Sequence, residues 1–215
     1  MEVNPFRFYK CLHLVRSTGK RASNLKEFLQ IISQVEEESI FYHLHQAFRK
    51  YSFTVPEFPG DFATWAGEYL RDRALAEKLA NIDFYSFSDI GTLRQEIVRI
   101  IEEHLKEMPG EGCVLPGEEF YFNKAISVIF PTPYEATDLK QFARILREVE
   151  TNSIYYHFFE AKLRLGMGND DFSEWIGTSL EKQEIAERIR KIDPYQLSLE
   201  EIRQKVLESL GDEDE

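Results

Sequence analysis

A chain of 215 residues is long enough for one large domain or two small ones. Its 43% hydrophobic and 13% aromatic content is material for a packed core, and a formal charge of −12 speaks against sequence-independent nucleic-acid binding, which rests on neutralising phosphates. There is no apolar run of membrane-spanning length, no signal-peptide pattern after Met1, and only two cysteines, Cys11 and Cys113, so a reduced, cytoplasmic protein with no membrane partner is expected.

The opening segment, Phe6 to Val15, is ambiguous. Phe6, Phe8, Leu12 and Leu14 alternate as in a strand, whereas Phe8, Leu12 and Val15 suit a helix, and Pro5 fits a first helical turn. The helix is preferred. A basic loop follows, Arg16-Ser17-Thr18-Gly19-Lys20-Arg21. Asn24-Leu25-Lys26-Glu27 then reads as a capping box that starts a helix with Phe28, Leu29 and Ile32 inward. The next helix, roughly Ser39 to Tyr51, puts Ile40, His43, Leu44, Ala47 and Phe48 on one face. Asp61 looks like the N-cap of a short helix carrying Trp65, as Asp171 does for one carrying Trp175. Further helices are expected at Ala74 to Asn81 and Thr92 to Lys106, and a Pro/Gly-rich linker within Lys106 to Glu119.

The sequence then repeats. Val35 to His43 returns as Val149 to His157; Asp61-Phe62-Ala63-Thr64-Trp65-Ala66-Gly67 returns as Asp171-Phe172-Ser173-Glu174-Trp175-Ile176-Gly177; Leu93-Arg94-Gln95 returns as Ile202-Arg203-Gln204. Asp138 starts the copy of the first helix, Phe120 to Phe130 is the copy of the ambiguous segment, and helices are expected at Glu181 to Lys191 and Leu199 to Leu210. The first copy has four extra residues, within Tyr51 to Pro59. The expected fold is therefore all-α: a tandem duplication of a small helical domain with five or six short helices per copy, related by a pseudo-two-fold. Its parts are a first domain over residues 1–108, a linker over 109–117, a second domain over 118–211 and an acidic, disordered tail over 212–215.

The stretch Ser-Ile-Tyr-Tyr-His-Phe-Phe-Glu-Ala-Lys-Leu-Arg at Ser153 to Arg164 resembles an uncharacterised prokaryotic family, domain of unknown function 5752. So do Asp171-Phe172-Ser173-Glu174-Trp175 and the opening Phe8 to Arg16. The resemblance covers nearly the whole chain. It implies a bacterial or archaeal origin and no activity, substrate or catalytic residue.

Chemistry must then come from the residues. The phosphate-loop, nucleophile-elbow and His-Glu-x-x-His patterns are absent, Glu-x-x-His is absent too, and no cofactor is implied. His43 and His157 are equivalent, and each follows a Ser one turn earlier, Ser39 and Ser153. Around a pseudo-two-fold axis they could share a metal or anionic ligand with Tyr42 and Tyr156. The simpler reading, which outweighs it, is a buried imidazole satisfied by that Ser or by a backbone carbonyl. His45 points away from His43 on a helix, and a Ser-His hydrolase lacks a third member. Trp65 and Trp175 read as core aromatics rather than ligand platforms.

Charge is a further clue. Residues 1–110 hold 14 Lys+Arg and 16 Asp+Glu, against 12 and 22 in residues 111–215. Arg16, Lys20 and Arg21, replaced in the copy by uncharged or acidic residues, form a candidate anion site. The leading expectation is a non-enzymatic interaction or regulatory protein, monomer or homodimer, with an unknown protein partner. The second is a protein binding a small anionic ligand or a metal between the copies, as an enzyme or otherwise, through His43, His157, Tyr42, Tyr156, Arg16, Lys20 and Arg21.

Overall fold

A computed structural model describes residues 4–46, 57–58, 60–108, 112–166, 168–193 and 197–211. Both opening segments are strands, which overturns the all-α expectation. Strand β1 is Phe6–Ala22 and β2 is Phe120–Ala136, 17 residues each, paired as a two-stranded antiparallel sheet. The helical spacing of Phe8, Leu12 and Val15 misled because it is not a packing pattern. Leu12 and Val15 are 54% and 59% exposed, whereas the buried pair, Phe6 and Phe8, is two residues apart, as in a strand. Contacts between Phe8 and Thr132, His13 and Ser127, and Thr18 and Phe122 set the register. Thr18 Oγ1 donates to the Phe122 carbonyl at 2.6 Å, and its repeat equivalent, Thr132, donates to that of Phe8 at the same distance.

The chain falls into two compact units. The N-unit is Leu14–Ile126; the C-unit joins Met1–His13 to Ser127–Glu215. Each unit thus takes half of each strand. The N-unit contains helices α1 (Leu25–Ile32), α2 (Glu37–Phe41), α3 (Asp61–Thr64), α4 (Arg73–Ala80) and α5 (Ile90–Glu107). Wider π-helical turns continue α2 over Tyr42–Gln46 and α3 over Trp65–Tyr69. In the C-unit are α6 (Leu139–Glu148), α7 (Thr151–Ile154), a π turn (Tyr155–Glu160) running into α8 (Ala161–Leu165), α9 (Asp171–Ser179), α10 (Gln183–Arg190) and α11 (Leu199–Leu210).

Each core is closed by aromatics from the strand that precedes the other set of helices. In the N-unit Phe120 and Phe122 pack on Phe28, which stacks on Trp65 at 5.1 Å. In the C-unit Phe6 and Phe8 pack on Phe142, which stacks on Trp175 at 5.5 Å. Buried aromatic pairs of this kind stabilise by about 0.5–1.5 kcal/mol beyond their area.

Local rules account for the helix ends. Asn24 and Asp138 cap α1 and α6 by accepting the N–H of Glu27 and Gln141. The side chains of Glu27 and Gln141 accept from Ser23 and Thr137, one residue earlier than in a capping box. Ser198 and Glu201 form the full reciprocal box on α11. The recurrent Arg ties helix ends together. Arg203 donates to the carbonyls of Leu146 and Arg147 at the end of α6, and Arg94 donates to that of Ser33 after α1. Asp61 and Asp171 are not caps. They are the first helical residues, after Gly60 and Asp170. The expected extension of α2 to Tyr51, most of the Tyr51–Pro59 insertion, residues 109–111 of the linker and the 212–215 tail lie outside the described residues.

Gly67 and Gly177 recur for reasons of differing strength. A Cβ on Gly67 would lie 2.5 Å from the buried Phe58 ring and 3.2 Å from Ala76, whereas on Gly177 it would meet the Gln183 side chain at 3.2 Å and Ala186 at 3.3 Å. Gly67→Ala is expected to destabilise the protein by about 1–3 kcal/mol in denaturant unfolding. Gly177→Ala should stay within about 1 kcal/mol of wild type, since the helix-propensity gain offsets the tighter contact.

Candidate functional site

His43 sits in the π turn after α2, with its side chain 3% exposed. Its Nδ1 meets Asp61 Oδ2 at 2.7 Å, and its Nε2 meets the backbone N of Asn123 in β2 at 2.9 Å. One turn earlier, Ser39 Oγ donates to the Asn123 carbonyl at 2.8 Å. Ser39 and His43 together therefore grip both backbone groups of one strand residue, as a neighbouring strand would. Phe62 and Phe120 enclose the ring.

The C-unit repeats this. His157 Nδ1 meets Asp171 Oδ2 at 2.7 Å and Nε2 meets the backbone N of Tyr9 in β1 at 2.8 Å, with Phe6 and Phe172 around the ring. Ser153 is buried, and its Oγ has no hydrogen-bond partner among the described residues.

These contacts fix the chemistry of the rings. A backbone N–H only donates, so Nε2 is the acceptor and the ring proton sits on Nδ1, donated to the carboxylate. A His-Asp pair of this kind supports acid–base catalysis when Nε2 faces a substrate. Here a main-chain amide occupies Nε2, and no lone pair remains for a metal. The buried Tyr42 and Tyr156 flank their own histidines at 4.9 Å. Each His–Tyr pair completes these contacts inside its own unit.

Arg16, Lys20 and Arg21 lie in the N-unit's half of β1, a strand rather than a loop, with Arg16 and Arg21 exposed and Lys20 half-buried. Carboxylates of the same unit are near. Glu36 is held below the usual carboxylate range first by its own backbone N–H, then by Lys124, with Lys20 adding attraction. Glu119 is held low first by its own N–H and then by that of Gly117, with Arg21 adding.

The tryptophans are core residues that also anchor the main chain. Trp65 Nε1 donates to the Glu118 carbonyl at 2.9 Å, and Trp175 Nε1 donates to that of Asn4 at 2.7 Å, so each indole holds the chain where a strand begins. Two polar pairs were not apparent from the sequence. In the N-unit, buried His104 meets Asp72 at 2.6 Å. In the C-unit, Asp170 caps α9 through Ser173, and burial raises its carboxyl; burial lowers the Lys162 ammonium, with Asp170 opposing that shift. A hollow among Leu44, Phe62, Leu79 and Ile97 in the N-unit core has no room for a water.

A family described as a family of unknown function (DUF5752) matches residues 3–211. The solved structure of OrfY from Thermoproteus tenax is similar, with a TM-score of 0.84 and 24% identity over 100% of this chain and 98% of that one. At that identity the similarity concerns the fold. Among curated proteins nothing matches. No helix among the described residues is long and apolar enough to cross a membrane.

Removing either ring leaves a half-buried strand N–H without its acceptor, at a cost of up to about 1–3 kcal/mol. Hydrogen exchange reads this locally. His157→Ala is expected to speed exchange of the Tyr9 amide and His43→Ala that of Asn123, each without affecting the other. Unchanged exchange in both variants would rule out the clamp.

Proposed function

The chain belongs to this family of unknown function, and we propose that it is a non-enzymatic, cytoplasmic interaction protein whose N-unit presents its half of the ribbon to an acidic, apolar-faced polypeptide. The observation that carries this reading is the character of β1. Its N-unit half, Leu14–Ala22, includes Arg16, Lys20 and Arg21 and no acid, in a chain of formal charge −12. In the N-unit, Arg16 and Arg21 stand with Leu14 and Val15, each 59% exposed, and Tyr121 of β2 is 46% exposed. Apolar side chains left on a surface among cations favour a partner that offers the complement of both.

Backbone geometry supports an extended occupant. Among the described residues the two-stranded sheet leaves each strand one edge without a strand neighbour. Within the N-unit, Ser39 and His43 take up the β2 edge at Asn123. The β1 edge over Leu14–Ser17 meets no comparable helix side chain among the described residues, and strand addition is a recurrent mode of peptide recognition. The small-anion alternative fits less well, because Arg16, Lys20 and Arg21 are spread along an extended strand rather than gathered by a loop. The cytoplasmic setting rests on two cysteines that are not joined in a disulfide, one of them exposed.

The test is an amide-shift titration of the isotope-labelled protein with a peptide of alternating Glu and Val, and with its Lys-for-Glu counterpart. The acidic peptide is expected to shift Leu14 to Ala22, to lose affinity as salt rises, and to lose most of it in Arg16→Glu/Arg21→Glu. An equal response to the basic peptide, shifts confined to other elements, or sedimentation showing the ribbon already covered by a second copy would overturn the proposal.

A further inference from the structure

We propose that Cys11, His13 and Glu160 of the C-unit form a transition-metal site suited to Zn2+. Cys11 and His13 are two apart on β1 and so project from the same face of the strand. Glu160 ends the π turn Tyr155–Glu160. One ligand atom from each of the three lies within 4.8 Å of the other two. Cys11 Sγ is 3.2 Å from His13 Nε2. Thiolate and imidazole donors on one tetrahedral Zn2+ sit about 3.5 Å apart, so this pair is already near ligating separation.

Two independent observations point to a ligand. Glu160 Oε2 is shielded from solvent and has no hydrogen-bond partner among the described residues, a costly state for a carboxylate oxygen that a cation would relieve. His13 Nδ1 is 3.0 Å from Ser127 Oγ, and its ring packs edge-on at 4.3 Å against Tyr155. An Nδ1–H donated to that hydroxyl leaves the Nε2 lone pair aimed at Cys11, the outer-shell arrangement that orients a metal-bound histidine.

The donor chemistry selects the ion. One sulfur, one nitrogen and one oxygen suit Zn2+ and disfavour Mg2+ and Ca2+, which take all-oxygen sets. Binding displaces the thiol proton of Cys11 to solvent and forms the S–Zn bond. Three protein ligands leave a fourth position for water or an exchangeable donor. The corresponding positions of the other repeat hold Ala125, Ser127 and Gln46, so the donor set occurs once. This site is independent of the ribbon-docking proposal.

The test uses full-length protein stripped with a chelator and titrated with Co2+, then with Zn2+ against a chromophoric chelator. The expected result is one ion per chain and a thiolate-to-cobalt charge-transfer band that Zn2+ abolishes. Cys11→Ser should remove the band, while Cys113→Ser should keep it. His13→Gln and Glu160→Gln, verified as folded by circular dichroism, should each weaken Zn2+ binding by at least about tenfold, and they keep the test valid if the Cys11 variant does not fold. No band in folded wild type, a band retained in folded Cys11→Ser, or Zn2+ affinity unchanged in both the His13 and Glu160 variants would overturn the site.

Discussion

The fold depends on a hydrogen bond from a strand amide to a helix-borne imidazole. Where a strand enters a helical core, its outward N–H must find an acceptor or remain buried and unpaired. His43 and His157 are that acceptor, and Asp61 and Asp171 hold each ring in the one tautomer that lets Nε2 accept. The carboxylates work through the rings. Removing the carboxylate would let the ring proton move to Nε2, where it would oppose the strand N–H.

That constraint also explains why the repeat is present twice in one chain. The strand gripped by His157 is β1, which precedes the first set of helices, and the strand gripped by His43 is β2, which follows them. Residues 118–211 alone would lack Phe6, Phe8 and Tyr9, the residues that fill their core and donate to their histidine. An isolated two-stranded ribbon is marginal in water, so strands and helices are each incomplete without the other. Duplication within one chain provides both strands at high effective concentration.

Helices were legible in the sequence because their signals are local. The repeat of the Thr92–Lys106 helix gives α11 over Leu199–Leu210, and Asn24 and Asp138 give the starts of α1 and α6. The strands were not, since only Phe6, Phe8, Cys11 and Ala22 of β1 are buried and its middle is exposed on both faces. Alternation therefore fades after three residues. The recurrence of His43 and His157 was visible, but their partners are backbone amides 80 and 148 residues away, which carry no side-chain signature. The helix reading also hid the metal-site donors: residues i and i+2 diverge by about 200° on a helix but share one face of a strand.

The two repeats separate what the fold requires from what it does not. His, Asp, Trp, Arg and the Phe-x-Phe pair occur in both copies, and each has a partner that would be missed on packing or hydrogen-bonding grounds alone. Such positions are poor candidates for chemistry, however suggestive a His-Asp pair looks. The informative positions are those at which one copy departs from the other without a structural reason. Cys11, His13 and Glu160 against Ala125, Ser127 and Gln46 are one such set; Arg16, Lys20 and Arg21 against Phe130, Tyr134 and Glu135 are another. Both first-copy segments lie on β1, yet the first set belongs to the C-unit and the second to the N-unit. A strand shared between two units can carry a different specialisation in each half, because the clamp that fixes one half does not constrain the side chains of the other.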